Sequence, residues 1–449
     1  MPLTKISLSA TRLSTFASVA ALLLTACHHN NSSTTSNGGL RLANATSAPL
    51  ELSAAGNTTT ETVTSASVAS GTIGDYASLT AQTYTVGVST TDASLVGSSQ
   101  TLGIASGTNY TLLAFGREGA VSTFLLIDNR VAPSTGFASL SVVNASGDAG
   151  VLDVYLVAPG TTSLAGLAPT YSGVASKSST TAQFTIAGTY DIWVTATGRP
   201  NDVRDTIPGV TVNSGDILTL ALTSALSGGL VDSAIVAQGG GFTQVQANPK
   251  ARVRLVGAFG PVTVNNTTVN ATVSADVNGS SLAPVTAPSV GSYALVAGGG
   301  STYDVTVSVP GGSSVPVASL PAQTFASGGD YTILAYGDPS NPSVSVFQDA
   351  NQPPSSSTAE LRLINGAVSE GGLTLNDNFL TIDDSVLYGT ASPYGATTAA
   401  LGSTIQITSP VVNFTTYTAT NINILGSSVY TAFVLGTTAQ PMVVFAKDR

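Results

Sequence analysis

LRLANA (residues 40–45), LSVVNA (140–145), VRLVGA (253–258) and LRLINGA (361–367) are four versions of one strand. Apolar residues alternate with small or polar ones through each. That is the period of a β-strand with one face toward a core, and each segment ends in a residue suited to a turn. Two further landmarks follow in the same order. The first is TYTVGV from Thr83, TYDIWV from Thr189, TYDVTV from Thr302 and TIQITS from Thr404. The second is GTNYTLLAFG from Gly107, GDILTLAL from Gly215, GDYTILAYG from Gly329 and SVYTAFVLG from Ser428. The set recurs roughly every 100–115 residues, which is one small domain per repeat and well above the period of a solenoid unit.

Within a repeat, short runs broken by Gly, Pro, Asn and Asp predict a two-sheet sandwich of immunoglobulin-like size, with a closed barrel as the alternative. The chain therefore reads as all-β, with four tandem immunoglobulin-like β-sandwich domains at 40–135, 136–249, 250–357 and 358–449. Only 8% of residues are charged, and no long stretch shows helical spacing of apolar residues. The junctions are RVAPSTG (130–136), a Gly-rich run (238–250) and NQPPSSST (351–358). Short links between tandem units, each carrying proline, predict an elongated rod.

Residues 1–26 have the parts of an export signal: a basic start with Lys5 and Arg12, an apolar run from Leu13 to Leu24, then Thr25 and Ala26. The run is too short for a permanent membrane span, which needs ~20 apolar residues. Leu24, Thr25, Ala26 and Cys27, the only cysteine in the chain, resemble the lipobox of bacterial lipoproteins. The resemblance implies cleavage before Cys27, a diacylglyceryl group on its sulfur and acylation of the new amino terminus. Two or more fatty chains hold a protein stably at a membrane. His28 in place of an aspartate points to the outer membrane. The tether, residues 27–39, continues as HHNNSSTTSNGG, too polar to fold, with a reach of ~20 Å.

LSVVNASGDAGVLDVYLVAPG from Leu140, AGTYDIWVTATG from Ala187 and SGDILTLAL from Ser214 resemble the bacterial domain-of-unknown-function 4397 family. Asp153, Val154 and Tyr155 fit its Asp-Val-Tyr strand, while Gly188 with Tyr190 and Gly107 with Tyr110 fit its Gly-Tyr strands. The other repeats keep the opening and closing strands but lack Asp-Val-Tyr, and so resemble divergent copies. The resemblance implies an exported or lipid-anchored protein and supplies no chemistry.

The residues themselves argue against catalysis. Both histidines, His28 and His29, lie in the tether, so no domain holds an imidazole for a nucleophile triad or a zinc site. A carboxylate pair of the glycosidase kind is the remaining catalytic option. Asp383 and Asp384 are neighbours in a strand and point to opposite faces. Asn376, Asp377, Asn378, Asp383 and Asp384 gather oxygen ligands without the spacing of a calcium loop and read as a solvated turn, so no metal or cofactor is expected. Lys250, Arg252 and Arg254 share one strand face, which reads as a solvent face paired with carboxylates.

In the middle strand of the second repeat Tyr190, Ile192 and Val194 face the core. Trp193 therefore faces outward or under a covering loop and is the candidate ligand contact, a platform for a sugar or a protein. Past residue 26 the chain has 12 basic and 24 acidic residues, which disfavours nucleic acid as a partner. The expected protein is a non-catalytic, lipid-anchored envelope protein with spacer and interaction modules. Its partners are the membrane through Cys27 and an envelope protein or glycan. The alternatives are a glycan-binding or adhesive surface lipoprotein and a carboxylate-pair hydrolase.

Overall fold

The computed structural model describes residues 36–90, 99–117, 120–310, 314–317, 323–367, 372–410, 415–437 and 440–449. Cys27, the signal segment and most of the tether lie outside the described residues. What is described is all-β: four sandwiches, each around its own apolar core.

Each domain repeats one topology. The opening strands are Asn37–Asn44, Phe137–Asn144, Lys250–Gly257 and Thr358–Asn365. They pair in parallel with the closing strands Asn109–Arg117, Ile217–Ser224, Asp330–Asp338 and Ser428–Thr437. A final strand, Ala120–Ile127, Val231–Ala237, Asn341–Asp349 or Gln440–Lys447, returns antiparallel beside the closing strand, and in domain two one more strand, Phe242–Gln246, pairs beyond it. Across the core lies a second sheet built on the middle strands Thr83–Ser89, Gly188–Ala196, Tyr303–Ser308 and Ala400–Thr408.

Alternation works as read on the inner side, where Leu40 and Leu42 join the first core and Leu361 and Leu363 the fourth. The outer side departs from expectation. In the first three opening strands every residue after the first is buried, so both faces of the sheet are covered. Outward-facing Ala43, Leu113 and Phe115 of domain one pack on Val143, Ala145 and Ala221 of domain two. Val256, Ala258 and Leu334 of domain three pack on Ile364, Phe433 and Leu435 of domain four. The expected rod of separate units is thus corrected: the domains pair face to face, one with two and three with four. Burying these outer faces removes apolar surface from water at ~25 cal/mol per Å², which short flexible links do not oppose.

The two pairs are joined through domain two. The Ser227 amide donates to the Gly328 carbonyl (3.0 Å), and Gln352 Nε2 donates to the Leu226 carbonyl (3.0 Å). Gly229 sits so close to domain three that a Cβ there would lie 1.7 Å from Arg252 Nη2. Only glycine allows that approach.

Phe433 is fully buried within the contact between domains three and four. Phe433→Ala is expected to cost about 3–5 kcal/mol, read as a lowered urea midpoint. An unchanged midpoint would mean that this face is not buried against its neighbour.

Candidate functional sites at the domain junctions

The second residue of the repeated strand motif is Arg41, Ser141, Arg254 or Arg362, on the outward face. In register with it on the closing strand stands a threonine: Thr111, Thr219, Thr332 or Thr431. The arginine Nε donates to the threonine hydroxyl at 2.8 Å for Arg41, 2.7 Å for Arg254 and 3.0 Å for Arg362. The threonine hydroxyl donates in turn to an aspartate at the end of the final strand: Asp128, Asp349 or Asp448. A tyrosine ring covers each guanidinium, Tyr76 at 4.4 Å, Tyr293 at 4.7 Å and Tyr394 at 4.6 Å. This Arg-Thr-Asp-Tyr group is what the sequence reading missed. Its signal was there to be found, since three of the four motifs carry arginine at one position.

Between domains three and four the groups are exchanged. Arg254 of domain three binds Asp448 of domain four, while Arg362 of domain four binds Asp349 of domain three. Burial works against these charges, and the carboxylates and the Tyr293 and Tyr394 rings hold both guanidiniums above their ordinary range. For Asp349, burial is likewise outweighed by Arg362 and Arg254, which hold its carboxyl below the usual range. Domain two lacks the arginine, and the linker supplies one. Arg130 reaches Thr219 Oγ1 (3.3 Å) and Ser141 Oγ (3.5 Å), while its backbone exchanges two hydrogen bonds with the Gln238 side chain.

Lys250 is exposed, but Arg252 and Arg254 are buried. That corrects the solvent-face reading: domains two and four cover the face on which these arginines lie. Arg252 pairs with Asp330 through two hydrogen bonds of 2.8 and 2.6 Å. Nearby, Arg204 of domain two donates to the Gly229 carbonyl (2.5 Å) and to Asp202 (2.8 Å), leaving its buried Nε unpartnered. A cleft of about 920 Å³ opens here between domains two, three and four. A second cavity of about 500 Å³ lies between domains one and two, with Asp232 as its single charged lining residue.

Trp193 is half-buried on the face opposite the core, against Tyr155, Val157 and Leu164. Ile192 and Val194 face the core as read. The segment bearing Leu164 covers the indole, whose Nε1 is buried without a partner. Asp383 is buried and Asp384 exposed, the latter accepting from Thr374 Oγ1 (2.6 Å). Asp377 accepts from Thr397 (2.8 Å), and Asn378 occupies a turn with positive φ. Among the described residues no three His, Cys, Asp or Glu side chains are placed to hold a metal ion.

Domain folds, exchanged ion groups and clefts together define a tandem β-sandwich protein whose charged chemistry lies between domains. Residues 38–155 match the model of a domain of unknown function, DUF4397. The matched stretch takes in the whole first domain and runs through the opening strand of the second to Tyr155 of Asp-Val-Tyr. The match thus lies mainly on the repeat read as a divergent copy. No curated protein matches the chain. Among solved structures, a protein of Bacteroides uniformis described as a candidate cell adhesion protein is 13% identical, covering 48% of this chain and 98% of its own, with a TM-score of 0.20. The Bacillus anthracis TIE protein is 12% identical over 86% of this chain and 68% of its own, at a TM-score of 0.14. The pilus adhesin SpaC of Lactobacillus rhamnosus is 11% identical over 70% and 43%, at 0.13. At these scores the likenesses carry no argument.

One buried acid is not compensated. Asp205 is 2% exposed, its Oδ2 has no partner, and burial pushes its carboxyl up to about 7. A folded value above the unfolded one means that the group favours the fold at low pH. That contribution is lost as pH rises from about 4 through about 7. Asp205→Asn is expected to gain stability relative to the parent as pH rises from 5 to 8, by about 2–3 kcal/mol at ~1.4 kcal/mol per pH unit. Equal melting at both pH values would count against a neutral Asp205 in the fold.

Proposed function

We propose that the protein is a non-catalytic interaction protein held at the bacterial outer membrane by lipid on Cys27. The observation that carries this is the run Leu24, Thr25, Ala26, Cys27, followed by a polar tether that leads into the first strand at Asn37. Two further features support it. The only imidazoles stand in that tether, beside the cysteine. Buried apolar faces hold the domains in pairs, and exchanged ion groups lock domains three and four further, an arrangement suited to presenting surfaces in a fixed geometry. Paired domains held by lipid at the membrane face contact partners there and need no chemistry of their own.

The test is Cys27→Ser in a bacterial host. Wild type is expected to incorporate labelled palmitate and sediment with outer-membrane fractions, whereas the variant loses the label and appears in the soluble envelope fraction. Label retained by the variant, or none on wild type, would rule out the anchor.

A further inference from the structure

We infer that the cleft where domains two, three and four meet binds an anionic sugar, one bearing a carboxylate or a phosphate. The reading does not depend on lipid attachment. The whole chain carries a formal charge of −10 and only 14 basic residues. Five of those line this one cleft: Arg199, Arg204, Arg252, Arg254 and Lys447. Two acidic residues line it, Asp202 and Asp448. The basic residues come from three domains, so only the assembled junction creates the concentration of charge.

The local charge is not balanced. Arg252 is matched by Asp330, and Arg254 by Asp448 and Asp349. Arg199 and Lys447 are exposed at the rim, and neither joins an ion pair among the described residues. Arg449 lies just behind. Burial, then repulsion from Arg204 and Arg252, pulls its guanidinium down to about 9. Arg204 is lowered as well, by burial and by Arg252. Cations that disfavour one another in a low-dielectric place are relieved by an incoming anion, whose field they focus.

Size and rim chemistry favour a sugar over a bare ion. About 920 Å³ lies in the range of organic-ligand sites. Asn201 and Ser292, both exposed on the cleft wall, supply amide and hydroxyl groups for ring hydroxyls beside the cations.

The full chain carrying Cys27→Ser, so that the membrane plays no part, is titrated calorimetrically at low and at physiological salt. The probes are tetragalacturonate for the carboxylate, mannose 6-phosphate for the phosphate, and uncharged maltotetraose. One charged probe is expected to bind, weakening with salt, and which one binds identifies the anionic group. Arg199→Ala with Lys447→Ala removes the rim charges and leaves the buried pairs intact. Its affinity is expected to fall at least about tenfold, equivalent to ~1.4 kcal/mol, with unchanged melting. If the double variant melts early, the separate Arg199→Gln and Lys447→Gln variants carry the comparison. The inference fails if neither charged probe binds, if maltotetraose binds as well as they do, or if the folded variants bind like the parent.

Discussion

The exchange of Arg254 and Arg362 across the contact between domains three and four is the constraint on which the rest of the assembly turns. A buried arginine is costly to desolvate, and breaking one partner from a buried pair costs about 3–5 kcal/mol. Each arginine here is held from its own domain by a threonine and from the other by an aspartate. Neither domain can rotate or slide without stranding a charge. Replacing the whole group by apolar residues could match its stability, so its main effect is to fix one relative placement out of the many that two apolar faces allow.

That placement has consequences at a distance. Pairing domains three and four aligns Asp448 and Lys447 of one with Arg252, Arg254 and Tyr293 of the other. The strand carrying Arg199 and Arg204 from domain two then closes the third side. An acidic protein thus gathers much of its scarce positive charge at one internal junction. In domain two the same position holds Ser141, and Arg130 from the linker bonds to Thr219 in place of an opening-strand arginine. The position is filled even where the strand does not supply the arginine, which points to a physical requirement of the outer face.

Much of the architecture was legible because strand period and repeat spacing are local properties. LRLANA and its three counterparts gave the opening strands, and the Gly-Tyr-Thr segments gave the closing ones. The facing of Ile192, Val194 and Trp193 followed from alternation alone. The arginines were misread for a definite reason. Period two says that Arg252 and Arg254 share a face, but not what lies beyond it, and a charged face is ordinarily solvated. The rod failed on the same point, since a link's composition sets its stiffness and leaves open whether the units it joins bury each other.

The sequence by itself determined the strands, the fourfold division and the inner face of every sheet, because each depends on residues near one another in the chain. It also carried the lipobox-like run at Cys27, which is a matter of order along the chain. Only the tertiary structure decided what covers the outer faces. Pairing Arg254 with Asp448, or Arg362 with Asp349, joins residues from separate domains. Whether a charge at such a place meets water or a carboxylate depends on shape complementarity between finished domains, a quantity no local pattern encodes.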